Sequence, residues 1–444
     1  MSPDSKYLVA VVGAGPAGLY GAKELADQGA RVALFNRDVK PGGLAEYGIY
    51  HSKHKMKNGL RKQFSKILAH PDIEYFGNVT VGAEGDLSLD DLRDLGFQVI
   101  MVTAGAQGTK WLGLDGEDLE GVYHAKDVVY HYNHLPPFAT KDMKIGRKSA
   151  IIGIGNVMCD IARWMIRDLK VDSVVCFARR GPAEAKWTRK EFASFAKNMD
   201  LDAFEAEYAK CVPVMEGVNQ DVEAAKAFIM EGVETGKDPV SDTRFEFDFL
   251  ASPKGMIGED GKLKAIMIEE TTLVPKNGDT KAQGTGNISE VEIDSVVFCI
   301  GDKVDESFGL PTEWSEFCKN PEPRFPIDEM SYEAYDHESG EVLEDIFLAG
   351  WARKASDGLV GAARKDGTNG SKAVLQYLEQ LGPAASLDTQ GLHDLIDALD
   401  QYVVRNDDYA ELLEAEKAVA ESKGVDEFKF DTNEEMLEAI GASK

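Results

Sequence analysis

Two glycine patterns carry the most readable chemistry in this 444-residue chain: GAGPAG, with Gly13, Gly15 and Gly18, and GIGNVM, with Gly153 and Gly155. Each follows an apolar run, Tyr7 to Val12 and then Ser149 to Ile152, and each leads into a helix-like stretch. In that context the glycines make a tight turn, admit a pyrophosphate close to the backbone and leave the first N–H groups of a helix facing it. Two such turns predict two dinucleotide sites. The first is reinforced by Pro16 and Ala17, which complete a GxGPAG form, and by Gly29 to Phe35, which reads as the second strand of the unit.

The residues after each second strand separate the two sites. A ribose with free hydroxyls is met by an acid at that place, whereas a 2′-phosphate calls for planar cations. In the second unit Cys176-Phe177-Ala178 runs into Arg179-Arg180-Gly181-Pro182, so NADPH is expected there. In the first unit the acid's place is taken by Asn36, whose amide can bond a ribose hydroxyl without charge, with Asp38 close behind.

The elements that must position these groups follow from the apolar pattern. Residues 7 to 106 read as strand, glycine turn, helix and strand, ending in the apolar run Phe97 to Val102 and the small-residue exit Thr103-Ala104-Gly105-Ala106. That is a parallel α/β unit. Residues 149 to 180 repeat it, with Ser173 to Phe177 as second strand. Arg244 to Leu250 and Lys264 to Leu273 are β-rich, Glu292 to Ile300 is a buried strand, and a last strand lies between Glu341 and Gly350 with Trp351 directly after it. From Leu387 onward the chain is acidic and helical in pattern.

Composition narrows the class. With 43% hydrophobic residues the chain can bury sizeable cores, and its length fits two or three domains. Net charge is −28, from 49 basic and 77 acidic residues, which argues against nucleic acid or an anionic membrane as partner. Cys159, Cys176, Cys211, Cys299 and Cys318 form no CxxC and no zinc spacing, and are expected as reduced thiols. No apolar stretch approaches the ~20 residues of a membrane span, and Met1 leads into the first strand without a cleavable signal, so the expected address is the cytoplasm. Basic residues gather at Lys53, Lys55, Lys57, Arg61 and Lys62, at Arg179, Arg180, Lys186, Arg189 and Lys190, and at Arg353, Lys354, Arg364 and Lys365. The first cluster, with Lys186, Arg189 and Lys190, is expected to face an acidic carrier on this acidic background.

Almost end to end the chain resembles the adrenodoxin-reductase-like ferredoxin–NADP reductases. The resemblance rests on GAGPAGLY at Gly13 to Tyr20, Pro41-Gly42-Gly43-Leu44 with Tyr47-Gly48-Ile49, GNVTVG at Gly77 to Gly82, and Tyr132-Asn133-His134-Leu135-Pro136. It continues in GIGNVMCDIAR at Gly153 to Arg163, in RRGP with Thr188-Arg189-Lys190-Glu191, in Gly350-Trp351 with Gly358-Leu359-Val360, and in the tail from Glu427-Phe428-Lys429-Phe430 to Glu434-Glu435-Met436-Leu437. The fold it implies is α/β: two Rossmann-like three-layer nucleotide-binding domains, an FAD domain formed by 1–108 and 320–444 and an NADP domain, 109–319, inserted into it.

The activity implied by the resemblance is that of an FAD enzyme that takes hydride from NADPH and passes electrons singly to a ferredoxin-type iron–sulfur carrier. FAD contacts then fall on the first glycine turn (Gly13, Gly15, Ala17, Gly18), on Asn36, Gly43, Leu44, Val81 and Trp351, and on Gly358 to Val360. NADPH contacts fall on Ile154, Gly155, Asn156, Val157, Arg179, Arg180, Glu191 and Gly358; the N–H groups of Leu359 and Val360, at a helix start, would stabilise negative charge on the flavin. Three departures stand out. The acid at the FAD ribose is Asn36. The histidine that the family pairs with an aspartate, here Asp160, aligns with Lys53, although His51 and His54 flank it, so the catalytic residues that the resemblance implies are Asp160, His51 and His54. The family's RGPTG reads Lys354-Ala355-Ser356-Asp357-Gly358. Absence of CxxC excludes a disulfide reductase, and absence of a cysteine-rich N-terminal domain excludes a glutamate-synthase small subunit; a flavin monooxygenase, an NADPH reductase of quinones or dyes, and a non-catalytic flavin- and NADPH-binding subunit are the alternatives.

Overall fold

The computed structural model describes residues 6–356, 358–384 and 389–442, so Asp357 and the Leu387 end of the tail fall outside the described residues. The chain divides into two compact units: residues 1–109, 130–140 and 301–444 form one, and 110–129 with 141–300 the other.

The first unit is built on a six-stranded sheet in the order Glu333–Asp336, Glu341–Leu348, Val99–Val102, Tyr7–Val12, Ala30–Asn36, Ile73–Gly77. All neighbours are parallel except the edge strand Glu333–Asp336. Strands this uniformly apolar are stable only with both faces covered, and period-2 alternation sorts their side chains. Val9, Val11, Val32, Leu34 and Met101 join one core with Leu19 and Leu25 of helix Pro16–Asp27 and Val374 and Leu378 of helix Val360–Leu381. Leu8, Ala10, Val12, Phe35 and Ile100 join the other core. The unit takes in 301–319 and 130–140, which the motif pattern alone puts in the inserted domain, because their apolar residues are buried in it. Val304, Phe308, Leu310 and Phe317 belong to the second of these cores, and Tyr130 and Leu135 pack with Tyr47.

The second unit carries a five-stranded parallel sheet in the order Val122–His124, Ser295–Phe298, Lys148–Ile152, Ser173–Ala178, Arg244–Phe249. It also carries an antiparallel sheet of Ala251–Glu259, Lys262–Lys276 and Asp279–Glu292. The β-rich run at Lys264 is thus the middle strand of that sheet. Helices Leu201–Glu216 and Val222–Glu234 start at Asp200 and Asp221, whose carboxylates accept the N–H of the third residue beyond. Among the described residues no helix is long and apolar enough to cross a membrane.

Candidate functional site

At the end of strand Tyr7–Val12, Gly13 has φ 106°, and a Cβ on it would lie 2.6 Å from the Thr103 carbonyl oxygen. A Cβ on Gly18, in the first turn of the helix, would lie 1.9 Å from the Gly13 oxygen. The Thr103 hydroxyl closes this corner, reaching the carbonyls of Val12 at 3.0 Å and Gly13 at 2.7 Å. Gly15 differs. Its backbone is extended, no side chain caps the helix, and a Cβ on it would meet nothing within 4 Å. Gly13 and Gly18 are therefore required by packing, whereas Gly15 faces open space beside the unpaired N–H groups of a helix start.

A second glycine loop supports the first. The Gly42 N–H donates to the Ala14 oxygen at 2.7 Å, and a Cβ on Gly43 would lie 3.2 Å from the Gly15 Cα. Leu44 then opens the short helix Leu44–Tyr47. Buried Ala17 packs against two further glycines: a Cβ on Gly367 would come 2.1 Å from its oxygen and one on Gly350 2.7 Å from its methyl. Val81 is buried in the core.

The structure gives Asn36 a different role from the ribose contact expected of it. Its Oδ1 accepts the Ala14 N–H at 3.0 Å, and its Nδ2 donates to the carbonyls of Asp38 and Lys40 at 2.8 and 3.1 Å, in a nearly dry setting. An amide supplies both donor and acceptor to those three groups; a carboxylate supplies only acceptors. Asn36→Glu, which restores the family's acid, is therefore expected to loosen the turn: two carbonyls lose their donors at about 1–3 kcal/mol each. A lower melting temperature and faster FAD release would show it, and tighter FAD would overturn it.

The turn at Gly350 is anchored by Asp366, which the motif pattern did not single out. Its carboxylate accepts the Gly350 N–H at 2.6 Å and the Tyr332 hydroxyl at 3.1 Å, and it pairs with the buried Arg353 guanidinium, which lies over the Tyr332 ring. Arg353, expected in a surface basic cluster, is thus an internal strut, because its charge is matched on helix Val360–Leu381. The anchored turn Gly350–Ala352 carries half-buried Trp351. Gly358 is in the left-handed region at φ 72°, with Ala362 only 2.4 Å from any Cβ, and exposed Leu359 and half-buried Val360 start that helix with no side-chain cap.

In the second unit the pattern repeats. A Cβ on Gly153 would lie 2.4 Å from the Cys299 oxygen, while one on Gly155 would meet nothing within 4 Å. Gly155 precedes the uncapped helix Asn156–Trp164, on whose first turn Val157 is exposed. The Ile154 oxygen accepts the Lys186 N–H at 3.0 Å and the Asn156 Oδ1 accepts the Thr188 N–H at 2.7 Å, so the turn is tied to the loop leading to helix Arg189–Phe192 with its Glu191. Strand Ser173–Ala178 delivers the two arginines in unlike states. Arg179 is exposed and makes no ion pair among the described residues; Arg180 pairs with Glu184 at 3.1 Å.

Of the three proposed catalytic residues, Asp160 stands on helix Asn156–Trp164 of the second unit, whereas His51 and His54 belong to the first. His51 is exposed with its ring on Tyr50, and His54 lies 4.0 Å from Asp426.

The expected carrier-facing cluster needs correction at its centre. Lys57 is fully buried and pairs with Glu427; Arg61 pairs with Glu427 at 2.7 Å and with Glu46. Around Glu46 gather Lys40 at 3.0 Å and Lys429, whose ammonium donates to the Glu46 carbonyl at 2.7 Å and the Asn133 carbonyl at 3.1 Å. Lys40 also meets Glu416 at 2.6 Å. Lys57 and Arg61 are thus parts of a buried charge network tying the short helix Leu44–Tyr47 to the C-terminal tail, while Lys55 and Lys62 remain exposed.

Residues 7–199 match the pyridine nucleotide-disulphide oxidoreductase family. The chain is 26% identical over 430 residues to the mitochondrial NADPH:adrenodoxin oxidoreductase of Arabidopsis thaliana, covering 84% of this chain and 86% of that one. It is 27% identical over 415 residues to the NADPH-ferredoxin reductase FprA of Mycobacterium leprae, covering 85% of each. The solved structure of Mycobacterium tuberculosis FprA in complex with NADPH superposes with a TM-score of 0.81 at 24% identity over 98% of this chain and 99% of that one, which shows the fold. Along most of its length the chain is thus similar to NADPH-dependent adrenodoxin and ferredoxin reductases.

Proposed function

We propose that this chain is an FAD-dependent ferredoxin–NADP reductase, oxidising NADPH and passing electrons one at a time to a ferredoxin-type iron–sulfur protein. The observation that carries the reading is the repeated device of two glycine turns, each with an open central glycine before an uncapped helix, and paired arginines after the second strand of only one. Four other helices, at Leu89, Leu201, Val222 and Asn433, carry their own side-chain caps, whereas the uncapped helix His54–Leu68 follows no open glycine.

In this reading the first unit holds FAD, with Gly15, Gly43 and Leu44 at its pyrophosphate and Trp351 and Gly358 to Val360 at its ring. Gly155, Asn156 and Val157 of the second unit hold the NADPH pyrophosphate. When bound, FAD converts the two-electron donor into single electrons, and no protein nucleophile is needed. The chain supplies position and charge: Asp366 fixes the Gly350 turn, and the free N–H groups at the start of a 22-residue helix favour negative charge beside Val360. Arg179 and Arg180 face the 2′-phosphate. Five cysteines, none in a disulfide, are in keeping with a reducing compartment such as the cytoplasm.

The purified chain should be yellow with one FAD, bleach on anaerobic mixing with NADPH, and reduce a ferredoxin faster than quinones or dyes; a preference for quinones would replace the acceptor. Coenzyme choice tests the arginines. Arg179→Ala is expected to raise KM for NADPH about tenfold or more with little change for NADH, a charge-assisted contact being worth about 1.5–3 kcal/mol. Equal losses for both coenzymes would remove Arg179 from the 2′-phosphate.

A further inference from the structure

Arg179 and Arg180 are adjacent in sequence but not equally available. The Arg180 guanidinium is only 21% exposed; it lies 3.1 Å from Glu184 and 3.7 Å from Asp279, and donates toward the Thr280 carbonyl at 3.4 Å. Glu184 is itself held in place. Its Oε1 accepts the Gln220 amide at 2.8 Å and the Thr280 hydroxyl, and its side chain is 11% exposed. The Gln220 and Thr280 groups come from the loop before helix Val222–Glu234 and from the start of strand Asp279–Glu292, so the carboxylate is pinned from two directions and cannot swing away when an anion arrives. Arg179 by contrast is exposed and makes no ion pair among the described residues; the Thr271 hydroxyl donates to its carbonyl at 2.8 Å.

An arginine with a fixed carboxylate partner attracts other anions weakly, since the incoming charge must compete with that carboxylate and sit beside it. We propose that Glu184 is a specificity-determining residue for the coenzyme: it holds Arg180 in an internal ion pair that weakens its attraction for a doubly charged 2′-phosphate and leaves the binding of a bare ribose untouched, with Arg179 as the first contact. This rests on the assignment of NADPH to the second unit. Asp279, three-quarters exposed on the hairpin, adds a weaker restraint of the same sign. Glu184 thus lowers the affinity of the clamp for anions in general and turns two arginines into one open and one guarded site.

Calorimetric titration of the full chain with 2′,5′-ADP and 5′-AMP tests this without turnover. Glu184→Gln keeps the acceptor for Gln220 and Thr280 but removes the charge; it should bind 2′,5′-ADP about fivefold more tightly at low salt and 5′-AMP unchanged, the gain shrinking as salt screens it. Asp279→Asn, on an exposed site where folding is not at stake, should give about twofold in the same direction. In an Arg180→Ala background Glu184→Gln should give no gain. Unchanged or weaker binding of 2′,5′-ADP by Glu184→Gln, or equal tightening of both nucleotides, would overturn the role of Glu184. If the wild type itself binds the two nucleotides equally and Arg179→Ala changes neither, the NADPH assignment fails instead.

Discussion

Reversing Lys57 and Arg61 to glutamate is expected to unfold the first unit rather than merely slow a partner's approach. Both cations lie in the network with Glu46 and Glu427, and a carboxylate in place of either would leave buried like charges face to face. Breaking a buried pair on one side costs about 3–5 kcal/mol, a large part of the 5–15 kcal/mol that holds a typical domain folded. Loss of soluble yield and a lower urea midpoint are the expected readings. A stable variant whose ferredoxin reduction slows at low salt and recovers at high salt would instead return these residues to the surface.

The same network fixes the sign of an acid response. Burial pushes the Glu46 carboxyl up, but Lys40, Lys429 and Arg61 outweigh it and hold it well below the usual range; Glu427 is lowered by Lys429, Lys57 and Arg61 against the same burial. Carboxyls lowered on folding add stability that is present above their unfolded values near 4.5 and is lost as pH falls through the folded ones. Burial lowers the Lys429 ammonium to about 7, so its charge weighs against the fold throughout the range below neutrality. Melting temperature should therefore fall steeply below about pH 5, and Glu46→Gln, less stable at neutral pH, should flatten that fall.

Gly18→Ala and Gly15→Val should fail in different ways. A Cβ on Gly18 collides with the Gly13 carbonyl at 1.9 Å, backbone against backbone at the joint of strand and helix, so Gly18→Ala is expected to give no folded first unit. At Gly15 there is room and an extended backbone, so Gly15→Val should fold with near-normal circular dichroism, yet purify colourless because the side chain occupies the space a pyrophosphate needs. A yellow Gly15→Val protein with one FAD would move the pyrophosphate elsewhere, and a well-folded Gly18→Ala would contradict the packing.

What the chain declares by itself is local. Gly13, Gly18 and Gly153 are legible because part of their constraint is local, positive φ at Gly13 and Gly153 and the Gly13 carbonyl against Gly18, although the Thr103 and Cys299 carbonyls that crowd Gly13 and Gly153 come from the ends of distant strands. Strands such as Tyr7–Val12 are legible because continuous apolar character needs cover on both faces. Strand Asp279–Glu292 was not legible: it is mostly polar, contains glycines, and is recruited by pairing with Lys262–Lys276.

Tertiary structure alone decided which charges are internal. Lys57 sits on a helix among lysines and reads as solvated, but its partner Glu427 lies 370 residues away, and Glu184 is pinned by Thr280, 96 residues downstream. Asn36 shows the same divide within one side chain: its position at the strand end could be read from the sequence, while the carbonyls of Asp38 and Lys40 that occupy its amide are brought to it by the loop's fold. Turn conformations and apolar runs are dictated by neighbours in sequence, whereas the state of a charge or an amide depends on neighbours in space, which only the folded chain supplies.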